Sequence, residues 1–243
     1  MAPSESPPPN DDRLAPTART ELRRMPERAV FSRSELHAVL DAGFLCHLGL
    51  VLNDWPTVLP TSYGRSGDTL VVHGSVASRS LRGAKSAPPV CVTVTHLDGV
   101  VLARSVFEHS INYRSVMVFG VPEILDGDEK LEGLRVLSEH VVPGQWGYAR
   151  RPTREEIAQT SVLRLRLDEV SLKVRGGGPG DDDDPDADLP IWAGEVPLRT
   201  AATAPVASPG LKPGRPCPPH LEAYAAGLAA RLAPSTGEIG GGQ

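Results

Sequence analysis

Val90-Cys-Val-Thr-Val-Thr-His-Leu-Asp-Gly-Val-Val-Leu-Ala-Arg-Ser-Val-Phe107 is the most informative run of this 243-residue chain. Val90, Val92 and Val94 alternate with Cys91, Thr93 and Thr95, the period of two that marks a strand with one buried face. Asp98-Gly99 is a two-residue turn signal, so the stretch predicts an antiparallel hairpin of Val90–Leu97 with Val100–Phe107.

The same period extends outward on both sides. Runs at Phe44–Leu52, Thr57–Tyr63, Thr69–His73 and Tyr113–Leu125 complete a set of six strands, enough for a small barrel. Ser161–Arg175 alternates in the same way and predicts one further strand with a wet face. Val71-Val72 and Val100-Val101-Leu102 are apolar on both sides of their strands, which implies cover on the outer face by helices or by a second subunit. The expected fold class is therefore mainly β with a few short flanking helices.

Three helices are predicted. Ser32-x-x-Glu35 has capping-box spacing and starts one through Asp41, with Leu36, Val39 and Leu40 inward. Val76–Gly83 follows Ser75 as N-cap, and Asp128–Val141 carries Leu131, Leu134, Leu137 and Val141 at helical spacing.

Glycine and proline each occur 24 times, but only eight prolines lie between Leu22 and Arg175. Residues 1–20 are expected to be disordered, because they cannot bury enough apolar surface to offset the entropy of ordering. A single domain is expected over 21–198, with 176–188 as a flexible Gly/Asp linker that leads to an apolar cluster around Trp192. An Ala/Pro-rich tail follows over 199–243, mostly disordered, with a weak helix at Leu221–Leu232.

The net charge of −5 traces largely to six aspartates in Asp181–Asp188, so the body is near neutral. This argues against nucleic-acid binding, which calls for a basic surplus on one face. The most apolar window, Gly43–Leu52, is too short to span a bilayer and contains His47. No secretory or mitochondrial leader pattern is evident, and three widely spaced cysteines suit a reducing, cytoplasmic setting. The seven histidines show no metal-ligand spacing.

Chemistry concentrates in three segments. His73-Gly-Ser-Val-Ala-Ser-Arg79 leaves a strand and enters a helix, where free N–H groups and the dipole favour an anion. Ser75, Ser78 and Arg79 can hold a phosphate there; a plain helix cap with a solvated arginine is the competing reading. Phe107-Glu-His-Ser-Ile-Asn-Tyr-Arg-Ser115 packs polar groups between apolar strands, either as a wide surface loop or against a ligand. Pro60-Thr-Ser-Tyr63 ends a strand near the barrel rim.

In combination these segments resemble the pyridoxamine 5'-phosphate oxidase-like FMN-binding split-barrel family, in the branch of nitroimidazole-resistance proteins. The matching motifs are Met25-Pro-Glu-Arg-Ala29, Pro60-Thr-x-Tyr63, His73-Gly-Ser-x-x-Ser-Arg79, Cys91-Val-Thr-Val-Thr95, Asp98-Gly-x-Val-Leu-Ala-Arg104, His109-Ser-x-Asn-Tyr-Arg-Ser115 and Trp192-Ala-Gly-x-x-Pro197. The resemblance implies a six-stranded antiparallel split barrel that forms a homodimer with FMN in its interfacial clefts. It implies that Ser75, Ser78 and Arg79 bind the phosphate and that Pro60, Thr61, Ser62 and Tyr63 line the isoalloxazine. Asn112, Tyr113 and Arg114 would contact the cofactor or support the cleft, Trp192 would close it, and His73 would face a small-molecule redox substrate. Deazaflavin, haem, or a non-catalytic flavin-binding role are the alternatives within the same resemblance. A phosphorylated substrate would need a second basic cluster, for which Arg104, Arg114 and Arg175 are candidates. If Arg79 grips the phosphate, Arg79→Ala weakens FMN binding by about 1.5–3 kcal/mol in a fluorescence titration, the scale of a lost charge-assisted hydrogen bond.

Overall fold

A computed structural model describes residues 12–74, 88–181 and 185–232. Ten strands, β1 (Ala29–Val30), β2 (Leu45–Leu52), β3 (Trp55–Ser66), β4 (Thr69–Gly74), β5 (Val90–Leu102), β6 (Ser110–Gly120), β7 (Glu123–Ile124), β8 (Ser161–Arg166), β9 (Glu169–Arg175) and β10 (Gly194–Pro197), form one antiparallel sheet. Its order is β1-β9-β6-β5-β2-β3-β4-β8-β7, with β10 beside the second half of β5. Curling of this sheet encloses Leu48, Leu50, Tyr63, Leu70, Val92, Val94, Val116, Val118, Leu165 and Leu172 in one core, lidded by Leu36 and Leu40 of helix α1 (Arg33–Asp41). The mainly β, antiparallel class is the one the sequence implies. Ser32 caps α1 as expected, accepting the Glu35 N–H at 3.2 Å.

The central correction concerns Asp98-Gly99. The chain does not turn there: β5 runs unbroken through the pair, and a bulge shifts its register against β6 so that Leu97 faces Tyr113 and Gly99 faces Asn112. Asp98 is the extra residue, and its carboxylate accepts two hydrogen bonds from the Arg114 guanidinium, both at 2.9 Å. Both side chains are buried, at 6 % and 14 % exposure. Gly99 lets β10 approach, since a Cβ there would lie 3.1 Å from the Val196 carbonyl. A glycine inside a strand marks a bulge or a close backbone approach as readily as a turn, and here it marks both. The reversal falls later, across Ala103–His109.

Two further runs divide. Ser161–Arg175 becomes β8 and β9, separated by Leu167-Asp168, and the chain passes there from the β4 side of the barrel to the β6 side. Buried Leu167 anchors the crossing, its N–H donating to the Asp68 carbonyl at 2.9 Å. Tyr113–Leu125 divides into β6 and β7 before Pro122, which cannot donate to a ladder.

Helix α2 (Gly127–Val141) covers the outer side of β4 and β8, burying Val71 and Val162 against Val136 and Leu137. Gly64 makes room for it, since a Cβ there would meet the Val136 carbonyl at 2.9 Å. Two short helices follow, α3 (Gln145–Tyr148) and α4 (Arg154–Gln159). Helix α4 carries the reciprocal capping box, Thr153 with Glu156.

The ends of the chain are more engaged than their composition suggests. Leu14 enters the core, and Thr17 and Arg19 bond Glu169 at 2.7 and 2.9 Å. The Gly176–Asp181 stretch ends on a bonded residue. Asp181 is buried and accepts the Arg104 backbone N–H at 2.7 Å and its guanidinium at 2.9 Å. The Trp192 segment then docks through β10. In the tail, helix α5 (Pro219–Leu232) docks on the open end of the barrel. Arg231 donates to the Asp41 carbonyl at 2.9 Å and the His140 carbonyl at 2.7 Å, satisfying the C-terminal ends of α1 and α2 together. Arg114 donates to the Leu232 carbonyl at 3.1 Å.

Beneath α5, His96 donates from Nε2 to the Val39 carbonyl and His140 from Nε2 to the Gly43 carbonyl, while His140 Nδ1 accepts the Arg65 N–H. Burial, the largest influence on each, holds both imidazoles below the ordinary histidine value and so neutral. The unfolded chain takes up these protons near pH 6.5 while the folded chain resists them, so stability is full above that pH and falls as pH drops below it. Urea denaturation between pH 8 and 5 should show this fall, and His140→Gln should flatten it. Asp98→Ala strands a buried guanidinium and should cost about 3–5 kcal/mol in the same measurement.

Candidate functional site

Strand alternation sorts the sheet into a face inside the barrel and a face outside it. On β2 the inner residues are Cys46, Leu48 and Leu50, and the outer ones are Leu45, His47 and Val51. His47 lies opposite Pro60 on β3 and Thr93 on β5, and Leu45 lies opposite Ser62. Tyr63 pairs with Val72 inside, so His73, the next residue on β4, stands outside beside Ser62. Helix α2 covers the outer side of β4 and β8, whereas Leu45, Val51, Val58 and Leu97 are exposed on β2, β3 and β5. His73 therefore sits where the helical cover stops and the bare face begins.

A cleft of about 420 Å³ opens there. It is also lined by Leu134 of α2, Trp146 of α3, Arg150, Pro152, Glu156 of α4 and Thr160. Arg150 grips Glu156 through two bonds of 2.8 and 2.6 Å. With the Thr153 N–H added, that pair holds the Glu156 carboxyl at about 2. Arg151 stacks over the Trp146 ring at 4.6 Å. Burial lowers the His73 pKa, which keeps the ring neutral at pH 7. Its Nδ1 is enclosed and has no hydrogen-bond partner among the described residues. Thr61 braces the strand from inside, its hydroxyl donating to the His73 carbonyl at 3.0 Å. A neutral imidazole lining a cleft with Trp146, Leu134 and Arg150 is suited to bind a planar ligand, ligate a metal centre, or exchange a proton.

The residues expected to act together are partly divided by the same alternation. Pro60 and Ser62 lie on the outer face. Thr61 and Tyr63 point inward, and Tyr63 is wholly buried, its hydroxyl donating to the Leu40 carbonyl. Burial pushes that phenol well above its ordinary range. Asn112 and Arg114 are likewise inside. Asn112 Nδ2 bonds Glu195 at 2.7 Å and the Gly177 carbonyl at 3.0 Å, so these two side chains brace the framework. Tyr113 is outer, opposite Leu97 and Arg175. Trp192 is 66 % exposed, its ring against Gly194. Ser75, Ser78 and Arg79, with the helix expected at Val76–Gly83, lie outside the described residues. The candidate arginine cluster is dispersed: Arg104 pairs with Asp181 and Arg114 with Asp98, while Arg175 stands elsewhere. Trp146, Arg150 and Glu156 were not anticipated, although the Thr153-x-x-Glu156 spacing signals the helix that carries one wall of the cleft.

Among the described residues no helix is long and apolar enough to cross a membrane. A search of curated proteins gives no match. Two solved structures align over most of the chain. One is the FAD and haem binding protein from Mycobacterium smegmatis, at 40 % identity and a TM-score of 0.76, covering 82 % of this chain and 97 % of that one. The other is the flavocytochrome Anf3 from Azotobacter vinelandii, at 38 % identity and a TM-score of 0.80, covering 86 % of this chain and 97 % of that one. The sequence model of the pyridoxamine 5'-phosphate oxidase family matches residues 32–174. A match across that barrel, joined to likeness along nearly the full length of both solved structures, makes this chain a member of the pyridoxamine 5'-phosphate oxidase family.

Proposed function

We propose that this chain is a flavin-binding redox protein, working as a homodimer on a small molecule, that also holds a haem at His73. The observation that carries the haem assignment is the neutral His73 imidazole, with no hydrogen-bond partner, set in the cleft of about 420 Å³. Similarity to the Mycobacterium smegmatis protein, described as binding FAD and haem, supports FAD as the flavin in place of the FMN suggested by the motifs alone. Leu45, Val51, Val58 and Leu97 leave an apolar outer face that a second copy would cover, which supports the dimer. Free cysteines at 46, 91 and 217 agree with a cytoplasmic setting.

The residues divide the work. His73 needs no deprotonation before it ligates a metal, because burial already holds it neutral. Leu134, Trp146 and Pro152 keep water from its ring, and Arg150 offers a guanidinium to a propionate in competition with Glu156. Pro60, Ser62 and His47 on the adjoining outer face would lie along a flavin ring. When bound, a flavin supplies one- and two-electron transfer and a haem one-electron transfer.

The visible spectrum of the purified protein tests this directly. Wild type should show flavin absorbance and, after haem titration, a Soret band. His73→Ala should weaken haem binding by about tenfold or more, each tenfold being about 1.4 kcal/mol, and leave flavin absorbance intact. Haem affinity unchanged in His73→Ala would remove His73 as ligand, and a protein that takes up no flavin would end the flavoprotein reading.

A further inference from the structure

We infer that the C-terminal helix α5 positions Trp146 in the lining of the His73 cleft, with His220 as the positioning residue. The inference rests on the reading of that cleft as a haem site and names an element outside the barrel that shapes it.

Helix α3 cannot hold Trp146 in place by itself. It is a single turn, Gln145–Tyr148, and its N-cap Gly144 sits at φ 85° without a side-chain cap bond. So short a helix is not stable without contacts from outside. Two neighbours provide them. Glu139 of α2 accepts the Gly144 N–H at 2.7 Å and the Trp146 N–H at 2.8 Å, so one carboxylate takes up free donors at the start of the turn. From the tail, His220 in the first turn of α5 donates from Nε2 to Gln145 Oε1 at 3.0 Å, a contact between residues 75 apart in sequence. Its ring also packs on Tyr148, with centroids 5.2 Å apart, and a Cβ on Gly144 would lie 3.4 Å from it.

Gln145 and Tyr148 lie one turn apart and share a face of α3, so both meet the same imidazole. Trp146, the residue between them that follows Gln145, lines the cleft with His73. The Arg151 guanidinium lies over its ring at 4.6 Å. Any shift of Gln145 and Tyr148 therefore moves Trp146 with them.

Helix α5 is fixed in turn at its far end. Arg231, about 16 Å along the helix from His220, donates to the Asp41 carbonyl at 2.9 Å and the His140 carbonyl at 2.7 Å. Glu139 and His140 adjoin on α2, so α2 grips α3 with one residue and α5 with the next. The three helices close a ring of hydrogen bonds, and His220 is its link between α5 and α3. Through that link the end of the chain sets the shape of a cleft built by residues far earlier in sequence.

Haemin titration of the full chain, followed at the Soret band, tests the coupling. His220→Ala should weaken haemin binding by about fivefold, the scale of one lost neutral hydrogen bond, and Gln145→Ala should weaken it as much. In a Trp146→Leu chain, His220→Ala should have no further effect, because the side chain it acts through is gone. Haemin affinity equal to wild type in both single variants overturns the inference, and so does an equal loss from His220→Ala with and without Trp146. If wild type binds no haemin, the haem reading fails and the coupling is read from Trp146 itself. The chain has three tryptophans, so Trp55→Phe with Trp192→Phe leaves Trp146 as the one emitter. Acrylamide should then quench it more readily once His220→Ala is added, and unchanged quenching overturns the positioning role.

Discussion

The buried pair of Arg114 with Asp98 fixes the path of β5, and most of the sheet depends on that path. Asp98 sits at a bulge where a turn would otherwise be favoured, and the guanidinium across from it rewards the extended chain with two charge-assisted bonds. Because β5 continues, it offers one edge to β6 along its whole length and divides the other between β2 and β10. Cut at residue 98, it would leave β10 without its partner strand and the Trp192 segment without an anchor. Arg114 also reaches the Leu232 carbonyl, so the same side chain ties the last helix to the sheet.

Local pattern reveals what depends on neighbours in sequence. The alternation of β2, β3 and β5, the cap at Ser32 and the helical spacing of Gly127–Val141 are all of that kind, and so are the motifs that resemble the family. Asp98-Gly99 was misleading because the residues that favour a tight turn also favour a bulge; the choice rests on Arg114, sixteen residues away. Leu167-Asp168 carries no glycine or proline, yet the chain changes sheet halves there because Leu167 is buried at the crossing. Helix α5 was visible as a weak helix, but its role comes from Arg231 reaching backbone carbonyls of α1 and α2, a contact that no periodicity encodes.

The same limit applies to the site. Motif segments such as Pro60–Tyr63 and Asn112–Arg114 read as continuous patches in sequence, whereas a strand turns successive side chains to opposite faces. Pro60, Ser62 and Tyr113 are left for a ligand, and Thr61, Tyr63, Asn112 and Arg114 become its scaffold. His73 gains its character from α2, α3 and α4, which shield it without bonding it.

The outer face then has a definite division. Its middle, with Leu45, Val51, Val58 and Leu97, is apolar and exposed. His73 lies at one margin, where helical cover ends on β4, and β3, β2, β5 and β6 separate that margin from β9. Five strand spacings of about 4.8 Å amount to about 24 Å measured along the curled sheet.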